Sequence, residues 1–256
     1  MGLFRKHLGT AVKGSLLAAA PTFIVGLLAT VPVAAQRSFE EQRAELIEEI
    51  ESDVRETRGY TGKERLDESV MRAMATVARH EFVTSQLRDR AYENRPLPIG
   101  EGQTISQPYI VALMTDLAAV GPESIVLEVG TGSGYQAAVL AEIVDHVYSI
   151  EIVEPLGRRA AETLERLGYD NVTVRISDGY RGWPEFAPFD AVIVTAAPEE
   201  VPAPLIDQLK IGGRLVVPVG AQNRAQSLQV LEKGPAGKIS TTHVLPVAFV
   251  PLTREE

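Results

Sequence analysis

Residues 39–58 are dense in Glu and Arg, and their apolar positions Leu46, Ile47, Ile50 and Val54 recur at helical spacing. That pattern predicts a charged helix carrying one narrow apolar stripe. Gly59-Tyr60-Thr61-Gly62 breaks it, and a second helix fits 64–78, with Val70, Met71, Met74 and Val77 on one face. Residues 94–108 interleave Pro and Gly with Leu97, Ile99 and Ile105. They read as an ordered loop, and long irregular segments inside compact domains are often functional. From Pro108 onward helices and strands alternate. Helix 109–119 precedes an apolar strand at 124–129; helix 135–144, strand 146–152 and helix 155–167 follow, with Pro155 in a first helical turn. Next come strands 172–176 and 190–195, helix 204–209, Gly212-Gly213 and strand 214–219. The tail changes character, with strand-like runs at 227–232, 238–243 and 247–252 and a turn at Gly234-Pro235-Ala236-Gly237. The expected fold is therefore α/β: a doubly wound, Rossmann-like sheet, mostly parallel, with antiparallel C-terminal strands and N-terminal helices.

Ahead of these elements, Arg5, Lys6 and Lys13 lead into an apolar run over 15–35 that ends on the small residues Val33-Ala34-Ala35. This is the layout of an export signal. The run is also about long enough to span a bilayer, although Pro21 and Pro32 interrupt it, so an uncleaved anchor and a misplaced start codon stand as alternatives. The chain then divides into residues 1–35 as signal peptide or anchor, 36–63 as a charged helical extension, and 64–256 as the main domain. Membrane contact is expected only through residues 15–35, if they are retained, with an exported (periplasmic) or membrane-anchored location.

Charge and composition narrow the chemistry. Removing the +3 of residues 1–35 from the formal −9 leaves −12 for residues 36–256. A body of that sign is a poor partner for a phosphate backbone, so nucleic acid is not expected as a substrate. The absence of cysteine excludes disulfides, zinc–thiolate sites and thiol catalysis. The histidines (His7, His80, His146 and His243) are scattered, and no metal is expected.

The run Glu128-Val129-Gly130-Thr131-Gly132-Ser133-Gly134 places a glycine loop between a buried strand and a helix, where backbone can approach a ligand. The spacing departs from the dinucleotide fingerprint, because Tyr135 stands where glycine or alanine is required, and no lysine completes a P-loop. Glu128 would repel a pyrophosphate but suits a ligand with a cationic amino acid end. S-adenosylmethionine, with an ammonium, a sulfonium and no phosphate, fits. Glu151 ends the next strand, where an acid commonly binds ribose hydroxyls, and Asp178 follows the third, where it could accept from the adenine amino group beside Gly179. Ser133 lacks the frame of a nucleophile elbow.

From about residue 65 to 253 the chain resembles the protein-L-isoaspartate O-methyltransferase family. The resemblance rests on Pro98-Ile99-Gly100-Glu101-Gly102-Gln103-Thr104-Ile105-Ser106-Gln107-Pro108, on residues 126–135, and on Phe189-Asp190-Ala191-Val192-Ile193-Val194-Thr195-Ala196-Ala197-Pro198. Residues 212–220 and the closing Phe249-Val250-Pro251-Leu252-Thr253 extend it. Ser177-Asp178-Gly179 stands where the family usually has Gly-Asp-Gly, and Ala78 replaces a common proline. The resemblance implies methyl transfer from S-adenosylmethionine to the free α-carboxylate of L-isoaspartyl residues in damaged proteins and peptides, followed by closure to a succinimide. It implies Ser106 as the active-site serine that positions the carboxylate. Thr104, Ile105 and Gln107 would line the junction of cofactor and substrate, with Gly130, Thr131, Gly132, Ser133, Gly134, Glu151, Ile152 and Thr253 around the cofactor. Ala196 and Ala197 would border the peptide groove. It also implies a cytoplasmic location, against the reading of residues 1–35. Two other readings compete: a methyltransferase for another carboxylate or a small molecule, and an exported protein that binds the cofactor without turnover.

Overall fold

The computed structural model describes residues 37–222 and 224–254. The leader assigned to residues 1–35 lies outside them.

Helix α1 (Phe39–Glu56) starts at a capping box: the Ser38 hydroxyl accepts from the Glu41 N–H at 3.1 Å, and the Glu41 carboxylate accepts from the Ser38 N–H at 2.8 Å. Of its predicted stripe, Leu46, Ile50 and Val54 are buried in the core shared with the following helices, and Ile47 packs against that core half-buried. A single turn, α2 (Arg58–Thr61), ends at Gly62, and α3 spans Glu68–Thr76. The start of α3 lies later than the apolar spacing suggests, because the Asp67 carboxylate accepts from the Ser69 N–H at 2.7 Å and fixes the cap there.

The segment read as a loop at 94–108 contains a hairpin of β1 (Leu97–Gly100) and β2 (Gln103–Ile105). Glu101 and Gly102 both have positive φ, the backbone demanded by a tight two-residue hairpin turn. Leu97, Ile99 and Ile105 point into the core. The hairpin delivers the chain directly into α4 (Pro108–Ala118).

The main sheet comprises β3 (Ile125–Val129), β4 (His146–Glu151), β5 (Val172–Ile176), β6 (Phe189–Val194), β7 (Leu209–Val219), β8 (Gln226–Lys233) and β9 (Ile239–Val247), in the order β5-β4-β3-β6-β7-β8-β9. The first five in that order are parallel, and β8 and β9 are antiparallel to their preceding neighbours. Helices α5 (Tyr135–Ala141), α6 (Glu154–Leu167) and α7 (Ala203–Asp207) connect parallel strands. Alternate residues feed two cores: Val126, Ala191 and Ile193 join one, and Leu127, Val192 and Val194 the other. Burial of both faces explains why these strands read as continuous apolar runs.

Two boundaries differ from the sequence reading. Strand β7 runs through Gly212-Gly213 from Leu209, with a register shift against β6. Residues 248–252 are not a strand; only Pro251 makes an isolated bridge, to Ala197. The chain turns one way from β3 and the other way from β6. Open α/β sheets bind ligands at the crevice beyond such a switch in strand order.

Candidate active site

The loop after β3 is tied to the neighbouring strand by N–H donors of Gly130 and Thr131, both to the Ile150 carbonyl at 2.8 and 3.1 Å. Gly130 has φ of 102°, and a Cβ there would lie 2.5 Å from the Thr195 hydroxyl oxygen. That hydroxyl donates to the Gly130 carbonyl, clamping the loop to the end of β6. Gly179 is also forced by space, since a Cβ would meet Val129 Cγ1 at 2.4 Å.

These elements wall a cleft of about 740 Å³ at the carboxyl ends of β3, β4 and β6. Of the residues expected there, Thr104, Ile105, Ser106, Glu128, Gly130, Thr131, Gly132, Ser133, Glu151, Ile152, Gly179 and Thr253 line it.

Glu128 is wholly buried. Ser149 donates to one of its carboxylate oxygens, Thr131 and Ser149 are joined at 2.6 Å, and the other oxygen has no partner. Burial pushes its carboxyl up to about 8, against the Ser149 hydrogen bond and with the charge of Glu151 adding to the rise. Gln136 presents a second orphan on the same wall. Its amide nitrogen donates to Thr115 at 2.8 Å, and its buried carbonyl oxygen has no donor. Two unsatisfied acceptors on one wall are a seat for a ligand cation with several N–H groups. Glu151 accepts from the Gly132 N–H at 2.7 Å and the Val153 N–H at 2.9 Å, which fixes both oxygens at the cleft with lone pairs to spare for ligand hydroxyls.

Other expected residues have structural roles as well. Asp178 precedes Gly179, which lines the cleft; its carboxylate accepts from the Tyr180 N–H at 2.9 Å and lies 3.8 Å from Arg181, capping the short 3-10 turn that follows. Gly134 is spent as the left-handed cap of α5. Ala197 lines neither cavity of the site; its backbone N–H donates to Val250 and its carbonyl accepts from Leu252. Ala196 lines the first cleft, not the groove beside it.

That groove, about 1610 Å³, is lined by Gln107, Ile110, Gln222, Arg224 and Phe249 among others. Thr104, Ser106, Thr195 and Val250 line both spaces. The final segment, 248–254, is held across them by Gln226, which accepts from the Phe249 N–H at 2.6 Å and donates to its carbonyl at 3.1 Å. Tyr180 adds a hydrogen bond to the Leu252 carbonyl at 3.1 Å. Gln136, Gln226 and Tyr180 carry no signal in the sequence, and Thr195 stands there only inside a motif, with no role assigned to it. Among the described residues no cluster of three or more His, Asp or Glu could hold a metal.

A family model described as protein-L-isoaspartate(D-aspartate) O-methyltransferase (PCMT) matches residues 56–256. A protein of Polaromonas sp. (strain JS666 / ATCC BAA-500) named protein-L-isoaspartate O-methyltransferase 2 is 63% identical over 208 residues, covering 81% of this chain and 99% of its own length. One of the same name from Syntrophobacter fumaroxidans is 61% identical over 220 residues, covering 86% and 89%. Among solved structures, a protein-L-isoaspartate O-methyltransferase is 30% identical with a TM-score of 0.71, covering 82% of this chain; the chain spans 65% of that protein's length. A putative enzyme of this name from Plasmodium falciparum, in complex with S-adenosyl-L-homocysteine, is 26% identical with a TM-score of 0.67, covering 83% and 99%.

Proposed function

The chain belongs to the protein-L-isoaspartate O-methyltransferase family, and from that membership we propose how its two adjoining spaces divide the work. The protein is an S-adenosylmethionine-dependent carboxyl O-methyltransferase. It transfers a methyl group to the free α-carboxylate of L-isoaspartyl residues in damaged proteins and peptides, initiating repair through a succinimide.

The cleft beside β3 is the donor site in this reading. The unpartnered oxygens of Glu128 and Gln136 suit the ammonium of the cofactor, and the Glu151 carboxylate suits its ribose hydroxyls. The glycine loop and Thr253 close around the rest. When bound, S-adenosylmethionine supplies a methyl group on a sulfonium: an oxygen–carbon bond forms as the carbon–sulfur bond breaks, and no proton need move. The acceptor is an α-carboxylate, ionised at neutral pH because such groups titrate near 3.3–3.9, so the chain need not supply a general base. Its task is alignment and exclusion of water. Ser106, on the wall common to both spaces, donates a hydrogen bond that orients the carboxylate, and Ile105, Val250 and Phe249 keep the junction dry. The observation that carries this reading is the shared wall, which joins a cation-seeking cleft to an open groove at Ser106.

Labelled S-adenosylmethionine offered with matched isoaspartyl and aspartyl peptides tests it. Only the isoaspartyl peptide should be methylated. Equal labelling, or cofactor binding with no labelling, would sink the assignment. Ser106→Ala should lower kcat by about tenfold or more while cofactor affinity stays within about threefold, the loss expected for one hydrogen bond to a charged group. From the basic and apolar pattern of residues 1–35, the enzyme is proposed to act after export.

A further inference from the structure

Arg79, in the short 3-10 turn Arg79–Glu81 after α3, is wholly buried and heads the largest fully buried side chains among the described residues. Its Nε donates to the Ala91 carbonyl and its Nη2 to the Ser106 carbonyl, each at 2.8 Å. The guanidinium carbon sits 4.7 Å from the centre of the Tyr135 ring. The remaining nitrogen, Nη1, has no hydrogen-bond partner. No carboxylate among the described residues forms an ion pair with it. Burial lowers its pKa only to about 10, so it is a cation at neutral pH. A buried charge without a counterion is ordinarily expensive, and two carbonyls could be held by neutral donors. The charge therefore calls for a reason. Ser106 lines both spaces and Tyr135 lines the donor cleft, so the cation lies directly behind the junction where the methyl group changes hands.

We propose that Arg79 is a positioning residue that makes the acceptor groove selective for an anion: it fixes Ser106 through its carbonyl, and its uncompensated charge draws the ionised α-carboxylate while giving no hold on the neutral methyl ester. This rests on the acceptor assignment made above. Methyl transfer abolishes the charge on the acceptor, so the same attraction that brings substrate in vanishes at the moment of product formation. A buried cation one residue behind the Ser106 wall, with no carboxylate to neutralise it, shifts binding of an anion by on the order of tenfold to a hundredfold. The competing source is Arg224, the only charged residue among the described residues that line the groove, which is exposed. A surface charge is screened by salt, and a buried one much less.

The test compares an isoaspartyl peptide with its counterpart carrying an α-carboxamide, titrated into the full-length enzyme loaded with S-adenosylhomocysteine. Wild-type enzyme must first methylate the isoaspartyl peptide; failure there strikes the function and not Arg79. The carboxylate-to-carboxamide affinity ratio should fall about tenfold or more in Arg79→Met and stay within about threefold in Arg79→Lys, which keeps the charge but loses the planar fork. The wild-type ratio should change less than about threefold between low and high salt. A purely structural role would weaken both peptides equally and leave the ratio intact, which would overturn the proposal. A wild-type ratio that collapses in salt would do the same by assigning the attraction to Arg224, and this measurement needs no variant to fold.

Discussion

Glu128 ends a line of buried hydroxyls and still keeps one oxygen without a donor. With its carboxyl raised from 4.5 to about 8, it is largely protonated in the free protein at pH 7. A cofactor ammonium arriving beside it favours the ionised form, so binding should expel up to about one proton near pH 7 and strengthen as pH rises from about 6 to 8. Stability of the free protein has the opposite slope. A folded-state pKa above the unfolded one gives a contribution that is full below about 4.5 and is lost as pH climbs through about 8. Calorimetry in buffers of differing ionisation enthalpy should register the proton, and Glu128→Gln should flatten both slopes; binding with no proton release counts against this account. The sequence shows Glu128 and Glu151 as acids at strand ends, and both reach the cleft. Asp178 looks equivalent in the sequence, and in the fold its carboxylate also caps the 3-10 turn that follows it, which the sequence does not foretell. Gln136 and Arg79 were illegible for another reason: an orphaned amide oxygen or a buried guanidinium is defined by what surrounds it in space, and no spacing along the chain records that.

Helix α1 shows how far periodicity reaches. The stripe of Leu46, Ile47, Ile50 and Val54 foretells an amphipathic helix; Leu46, Ile50 and Val54 are its buried positions, and Ile47 is half-buried at the edge of the core. What the pattern leaves open is the surface that receives them, which is the core containing Met74, Val111 and Leu113. Ile50→Ala should therefore cost about 2–4 kcal/mol in denaturant unfolding, the range for a fully buried aliphatic truncation. A cost under about 1 kcal/mol would mean the helix is only a spacer. The β1–β2 hairpin escaped because strands of four and three residues are too short for alternation to be decisive. The clue available was Glu101-Gly102 between Ile99 and Ile105, a tight-turn pair flanked by apolar positions.

At the scale of the whole molecule, the alternation of strands and helices after Pro108 was enough to give a doubly wound sheet, because each buried parallel strand is an uninterrupted apolar run. The paths of β7 and of residues 248–252 were not, since a bulge through Gly212-Gly213 and a single bridge at Pro251 depend on the partner strand. Residues 1–35 yield a separate expectation: protein purified from its native host should begin near Gln36 on N-terminal sequencing, and an intact Met1 would rule out cleavage. The sheets carry a further consequence. Glu128 and Glu151 hang from the seven-stranded ladder, whereas Ser106 follows a two-stranded ladder that shares no strand pairing with it. Because Gln103, Thr104 and Ile105 of that hairpin also wall the donor cleft, a change in the short ladder that alters which carboxylates are accepted is felt at the methyl donor too. Selection on the acceptor is therefore answerable to the donor.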